Sequence, residues 1–317
     1  MLKRAILIAG PTASGKTALA LRLAKEINGA IINADAMQVY RDLRILSARP
    51  TPEEEKSAPH FLFGQIDASE NYSVARWIKD LSKVLLKLKD TQQTPILVGG
   101  TGLYFKAALL GISEIPQVPE AVRHEVRRRA AGKETKQLYE ELTLLDPLTA
   151  EKLKPSDPQR ILRALEVFIA TGKPLISYQG PRATPALEGM SCAAFFLSPD
   201  RDALRKRINH RFDHMIAEGA LDEVRALNAR NLDPSLPCMR ALGVPHLSAY
   251  LDAASSLAES IEKGKGDTRR YTKRQFTFAR HQLPQFSWLE PETAFETILA
   301  RLSQRNSVCS NESSIYD

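Results

Sequence analysis

Gly10-Pro11-Thr12-Ala13-Ser14-Gly15-Lys16-Thr17 has the residue types and spacing of a phosphate loop, GxxxxGK[ST]. Glycines let the backbone curl so that successive N–H groups point inward at phosphate oxygens. A helix starting behind them adds its dipole. Lys16 supplies a mobile positive charge, and Thr17 offers a hydroxyl for Mg²⁺. The motif does not say which phosphate compound binds. Two more polar residues stand just past apolar runs: Asp35 after Ala30–Ala34, and Thr101 after Pro95-Ile96-Leu97-Val98-Gly99-Gly100. Ligands of an open α/β sheet sit beyond the carboxyl ends of its strands. Asp35 is therefore expected beside the loop, and Thr101 is a candidate for the same cleft. From position alone, Asp35 could cap a helix, support a metal or act as a general base. Nucleoside-triphosphate hydrolases usually close an apolar strand with an Asp that helps hold Mg²⁺. Here the strongest later strand ends in Gly99-Gly100-Thr101, which disfavours a motor-type ATPase.

These residues need a scaffold, and the apolar pattern supplies one. Ala5–Ala9, Ala30–Ile32, Pro95–Val98 and Cys192–Leu197 read as buried strands. Thr17–Ile27 and Val74–Leu88 carry apolar residues at helical spacing. Strand–helix alternation predicts an α/β fold: a P-loop NTPase-like parallel sheet flanked by helices. Between the third and fourth strands the pattern is helical only, over Val122–Ala131, Leu138–Leu145 and Asp157–Ala170, the last closed by Gly172 and Pro174. We expect an all-helical insertion at 115–190 in a core made of 1–114 and 191–302. After Leu197 the spacing predicts helices over Arg201–Glu218, Leu221–Asn228 and Gly266–His281. Residues 303–317 are polar and aperiodic and read as a disordered tail.

At 317 residues the chain has room for about two domains, and 43% hydrophobic with 26% charged residues is the balance of a globular protein. No apolar run approaches the ~18 residues of a membrane span, so no membrane partner is expected. Ala5–Ala9 is too short for an export signal, so cytoplasm is the default. Cys192, Cys238 and Cys309 form no CxxC pair and support neither a disulfide framework nor a zinc site. A net charge of +7 permits a polyanionic partner. The insertion has 12 Lys/Arg against 10 Asp/Glu, so any nucleic-acid face there must come from segregation of charge. Arg123 and Arg127–Arg129 lie at its start. Gln159, Arg160 and Arg163 open one of its helices at i, i+1 and i+4. The last helix carries Lys265, Arg269, Arg270, Lys273, Arg274 and Arg280 around Tyr271, Phe276 and Phe278, a mixture able to grip phosphate and stack bases.

Further segments stand in a telling order. After the loop come Asn33-Ala34-Asp35-Ala36-Met37-Gln38-Val39-Tyr40 and Leu97-Val98-Gly99-Gly100-Thr101-Gly102-Leu103-Tyr104. Then follow Asp157-Pro158-Gln159-Arg160-Ile161-Leu162-Arg163-Ala164-Leu165-Glu166, Thr171-Gly172-Lys173-Pro174, His210-Arg211-Phe212-Asp213-His214-Met215 and Thr268-Arg269-Arg270-Tyr271-Thr272-Lys273-Arg274-Gln275. From about residue 3 to about 290 the chain resembles the bacterial tRNA dimethylallyltransferase (tRNA isopentenyltransferase) family. The resemblance implies transfer of a dimethylallyl group from dimethylallyl diphosphate to N6 of the adenosine 3′ to the anticodon, in tRNAs reading codons that start with U. The products are N6-(dimethylallyl)adenosine and diphosphate. It implies Asp35 as base, Thr101 as positioning group, Lys16 and Arg211 on the leaving diphosphate, and Mg²⁺ held by Thr17. The anticodon stem-loop then falls to Asp35, Ala36, Met37, Gln38, Thr101, Arg123, Gln159, Arg160, Ile161, Leu162 and Arg163. With no evident interface stripe, a monomer is expected.

The chain departs from the family pattern at Leu46-Ser47-Ala48-Arg49-Pro50 (usually Gly-Thr-Ala-Lys-Pro), Phe61 (usually His), Val244 (commonly aromatic) and Arg270 (commonly Gln). None falls on the loop, Asp35, Thr101 or Arg211. Two other classes share a phosphate loop with a strand-end Asp. An adenylate isopentenyltransferase would leave the insertion unexplained, and a nucleotide kinase would use 123–129 as a lid.

Overall fold

The computed structural model describes residues 2, 4–180 and 182–311, with side chains through Ser303. The chain runs β1 (Arg4–Ala9), α1 (Lys16–Glu26), β2 (Gly29–Asn33), α2 (Pro52–Ser57), β3 (His60–Phe61), α3 (Val74–Thr91), β4 (Thr94–Gly99) and α4 (Gly102–Leu110). Next come α5 (Glu120–Ala130), α6 (Thr135–Leu145), α7 (Pro147–Ala150) and α8 (Pro158–Thr171). It closes with β5 (Ser191–Leu197), α9 (Arg201–Ala217), α10 (Ala220–Asn228), α11 (Val244–Leu251), α12 (Leu257–Gln282), β6 (Ser287–Leu289) and α13 (Ala294–Asn311). Two compact units result, Met1–Leu109 with Ala186–Asp317, and Leu110–Pro185.

The larger unit holds one parallel sheet in the order β3-β2-β4-β1-β5-β6. Parallel sheets are buried on both faces, so their strands read as continuous apolar runs while alternate residues serve opposite layers. Ile6, Ile8, Ile31, Ile96 and Val98 pack with Leu19 and Leu23 of α1 and Ile298 of α13. Leu7, Ile32, Leu97 and Phe196 pack with Trp77 and Leu81 of α3, Phe105 of α4 and Val224 of α10. The four strands expected from sequence are present. Strands β3 and β6 span two and three residues, too short for a periodic signal.

Helix α12 begins well before the expected Gly266, capped by Ser256, whose side chain accepts from the Glu259 N–H. Two glycines inside it lower its helix propensity and hide that start. Gly264 is needed there, because a Cβ would lie 2.3 Å from the Phe212 ring. Of the tail expected from residue 303, α13 takes in residues to Asn311, and 312–317 lie outside the described residues.

Trp77 ties this layer to the end of β2. It is fully buried, stacks on Tyr104 at 4.4 Å between ring centroids, and donates from Nε1 to the Asn33 carbonyl at 2.8 Å. Trp77→Ala is expected to cost ~3–5 kcal/mol of unfolding free energy, measured by denaturant titration. A loss below ~1 kcal/mol would show that the layer collapses to fill the void.

The smaller unit packs α5, α6 and α8 around Val126, Leu138, Leu142, Ile161, Ala164 and Leu165. Buried Asp146 joins its turns, accepting from the Thr149 N–H at 3.0 Å and the Leu175 N–H at 3.1 Å. Among the described residues no helix is long and apolar enough to cross a membrane.

Candidate active site

Three loops meet because their strands are neighbours. β2, β4 and β1 lie side by side, with Asn33 paired to Val98 and Ala9 to Gly99. The phosphate loop, Asp35 and the Gly100–Thr101 turn therefore leave the carboxyl end of the sheet together. Gly99 permits this approach, since a Cβ there would lie 2.1 Å from the Ala34 carbonyl carbon.

The phosphate loop curls through left-handed residues at Ala13 (φ 61°) and Gly15 (φ 88°), and α1 starts at Lys16. Gly10 leaves space that a Cβ would fill, 3.0 Å from Ser14 Oγ. Ser14 is fully buried, and its Oγ has no partner within the protein. An unpaired buried hydroxyl costs free energy, and a phosphate oxygen in the loop would satisfy it. Lys16 Nζ donates to the Pro11 carbonyl at 2.6 Å. Thr17 lies half-buried in the first turn of α1. Burial pushes the Lys16 ammonium down to about 8; Asp35 opposes that shift and Arg211 adds to it. Arg211, on α9, is also lowered by burial and raised by Asp35 and then Glu54. Two desolvated cations thus share the field of one carboxylate, the charge pattern a diphosphate would complete.

The sign of the Lys16 shift sets a pH dependence. Its unfolded value is 10.5 and its folded value is about 8, so the unfolded chain binds more protons between them. On this account stability without ligand rises with pH through that window. An anion in the loop favours the ammonium, so binding takes up a proton above pH ~8. Calorimetry with inorganic pyrophosphate, in buffers of different ionisation enthalpy, is expected to show wild type taking up more proton than Lys16→Met at pH ~8.5 but not at pH ~6.5, the comparison cancelling pyrophosphate's own titration. No difference between the two proteins at pH ~8.5 would remove Lys16 as the titrating partner.

Asp35 is held by its neighbours rather than by a helix. Its N–H donates to Asn33 Oδ1 at 2.8 Å, and Asn33 Nδ2 donates to the Asp35 carbonyl at 2.9 Å and the Leu62 carbonyl at 3.0 Å. Asp35 Oδ1 accepts from the Met37 N–H at 3.0 Å, while Oδ2 lies 3.1 Å from where a Gly100 Cβ would stand. Thr101 Oγ1 accepts from the Ala36 N–H at 2.9 Å, and Tyr271 of α12 lies beside it. Burial, and next the Asp35 charge, raise the pKa of Tyr271 and of Tyr104.

Sequence reasoning did not single out Asn33, Tyr271 or Gln275 for this site. The Asn-x-Asp spacing is a local turn signal that could have found the first. Gln38 donates from Nε2 to the Ser47 and Ala48 carbonyls at 3.0 and 3.2 Å, bracing the following loop. Ala36 and Met37 pack partly against the core.

In the smaller unit, Gln159 and Arg160 stand exposed at the start of α8, capped by Asp157. Ile161 is fully buried in that unit's core. Leu162 is partly buried against the same core. Arg163, Arg123 and Arg127 converge on buried Glu166, at 3.7, 3.9 and 3.0 Å. Burial lowers the Arg163 pKa. One carboxylate among three guanidiniums leaves local positive charge, half-exposed at Arg163.

Helix α12 differs from its expected role in part. Phe276 meets Phe196 edge-on at 5.5 Å and Phe278 covers Gly102, so these aromatics serve the core rather than bases. Lys265 pairs with Asp213 at 2.7 Å, and Arg269 donates to Asn209 at 2.6 Å.

Residues 38–282 match the family described as IPP transferase. A relative from Beijerinckia indica named tRNA dimethylallyltransferase is 56% identical over 300 residues, covering 95% of this chain and 99% of its own. One of the same name from Methylobacterium nodulans is 55% identical, covering 94% and 99%. Among solved structures, the tRNA isopentenylpyrophosphate transferase of Bacillus halodurans superposes with TM-score 0.67 at 31% identity, covering 96% of this chain and 99% of that one. A eukaryotic dimethylallyltransferase acting on tRNA gives TM-score 0.76 at 25% identity, covering 98% and 80%.

Proposed function

The chain belongs to the IPP transferase family, and from that premise we propose the details of its reaction. It is a prenyl transferase acting on tRNA, as its near relatives are named. The donor we assign is dimethylallyl diphosphate, and the acceptor is N6 of the adenosine 3′ to the anticodon in tRNAs reading codons that begin with U. The observation that carries this reading is the meeting of a complete phosphate loop with Asp35 at the carboxyl end of the sheet.

The acceptor base is stacked in its loop and must be extruded to reach a cleft. An exocyclic amine of adenine is a weak nucleophile, so a base that takes its proton as the bond forms lowers the barrier. Asp35 is that base. The N6–carbon bond forms, the carbon–oxygen bond to diphosphate breaks, and the amine proton passes to the Asp35 carboxylate. Thr101, fixed by the Ala36 N–H, sets the acceptor side. Lys16, Arg211 and the backbone N–H groups of Ala13–Thr17 receive the charge on the departing diphosphate. Ser14 Oγ supplies a further donor for it.

Magnesium fits this donor set. Mg²⁺ keeps several waters and binds chiefly through substrate phosphates, so it needs few protein ligands. Thr17 would be the protein ligand, and the ion would neutralise diphosphate charge. Among the described residues no group of three His, Cys, Asp or Glu could form a closed metal cage.

For RNA, exposed Gln159 and Arg160 and half-exposed Arg163 and Arg123 are the contacts we assign in the smaller unit. We assign the protein to the cytoplasm and take it as a monomer. The test offers purified protein and Mg²⁺ labelled dimethylallyl diphosphate with an anticodon stem-loop, with AMP, or with neither. Label is expected in the stem-loop alone, and to vanish when the target adenosine becomes guanosine. Label in AMP alone would move the chain to cytokinin-type chemistry.

A further inference from the structure

One face of α12 grips the whole turn that follows β4. Tyr271, Gln275 and Phe278 are spaced i, i+4 and i+7, which stacks them along one side of a helix. Tyr271 lies beside Thr101, Gln275 Nε2 donates to the Gly100 carbonyl at 2.9 Å, and Phe278 fills the space where a Gly102 Cβ would stand. Gln275 does more than its neighbours. Its Oε1 accepts from the Thr12 N–H at 3.1 Å, in the middle of the phosphate loop. The amide is buried, 7% exposed, and only one orientation satisfies both partners, a carbonyl oxygen toward an N–H and an NH₂ toward a carbonyl. It passes close to the base as well: a Gly100 Cβ would lie 2.3 Å from Gln275 Nε2 and 3.1 Å from Asp35 Oδ2.

We infer that Gln275 is a positioning residue that sets the register of the phosphate loop against the acceptor turn. This deepens the transferase reading and depends on it. Gln275 touches neither substrate in this account. It acts by joining the loop that holds the diphosphate to the turn that carries Thr101, beside the Asp35 carboxylate. In-line transfer requires carbon and nitrogen to meet at the correct distance, and a misplacement near 1 Å costs about a hundredfold in rate. A bridge between the two half-sites controls that distance without adding affinity to either.

The test uses the full-length protein with Gln275→Met, which keeps length and helix propensity but offers neither hydrogen bond. The readouts are steady-state kcat and KM with dimethylallyl diphosphate and the stem-loop, and pyrophosphate affinity by calorimetry. The expected result is a kcat lower by about a hundredfold, with KM and pyrophosphate affinity changed by less than about fivefold. A folded variant with kcat within about threefold of wild type overturns the inference, as does a loss confined to KM. If Gln275→Met does not fold, Gln275→Glu decides. It keeps an acceptor for Thr12 and removes the donor for Gly100, so the same kcat loss is expected and an unchanged kcat overturns the proposal. Wild-type protein that transfers nothing would instead overturn the transferase reading itself.

Discussion

Replacing Asp35 with Asn is expected to lower kcat by about 10²–10⁴-fold while leaving donor binding intact. Asparagine keeps an Oδ1 that can accept from the Met37 N–H, so the turn after β2 is preserved. What is lost, on the proposed mechanism, is the capacity to take the amine proton. The same change removes the charge that holds the Lys16 pKa up. Pyrophosphate binding by Asp35→Asn should therefore begin to weaken with rising pH below pH ~8, earlier than in wild type. Single-turnover rates and a pH series of pyrophosphate titrations check both parts. A variant with near-wild-type single-turnover rate would remove Asp35 as the base.

Removing Lys16 acts on the other half of the reaction, with an opposite effect on stability. Lys16→Met is expected to lower kcat/KM by about 10²–10³-fold, as losing one donor to a developing anion does. Yet a buried ammonium with a depressed pKa destabilises the fold near neutral pH. It also sits in the repulsive field of Arg211. The unliganded variant is therefore expected to melt at the same temperature as wild type or above it, in a scanning fluorescence measurement. Binding machinery often carries such a stability cost. A lower Tm would mean that the bond from Nζ to the Pro11 carbonyl outweighs the burial of charge.

The residues that were legible in the sequence are those whose signal is local. The phosphate loop is eight consecutive residues, and Asp35 and Thr101 stand at the ends of apolar runs. Strand ends are where such sheets place ligands. The parallel sheet followed from strand–helix alternation, though β3 and β6 were too short to carry a pattern. Gln275 was not legible as part of the site because it meets Thr12 across 263 positions of chain. Nor was the convergence of Arg123, Arg127 and Arg163 on Glu166, which packing of α5 on α8 creates. The burial of Ile161 was within reach of simple reasoning. Ile161 shares an inward face with Leu165 at i, i+4, whereas Gln159 and Arg160 point outward. The aromatics of α12 misled for a related reason, since spacing alone does not tell whether a ring faces core or solvent.

The most direct measurement is a product balance on the wild-type enzyme. Dimethylallyl diphosphate and a matching anticodon stem-loop are reacted with Mg²⁺, released diphosphate is counted, and the RNA is digested to nucleosides for mass analysis. The account predicts one N6-(dimethylallyl)adenosine for each diphosphate released, at the adenosine 3′ to the anticodon. Diphosphate released without that nucleoside, or a prenyl group on another atom or base, would contradict it.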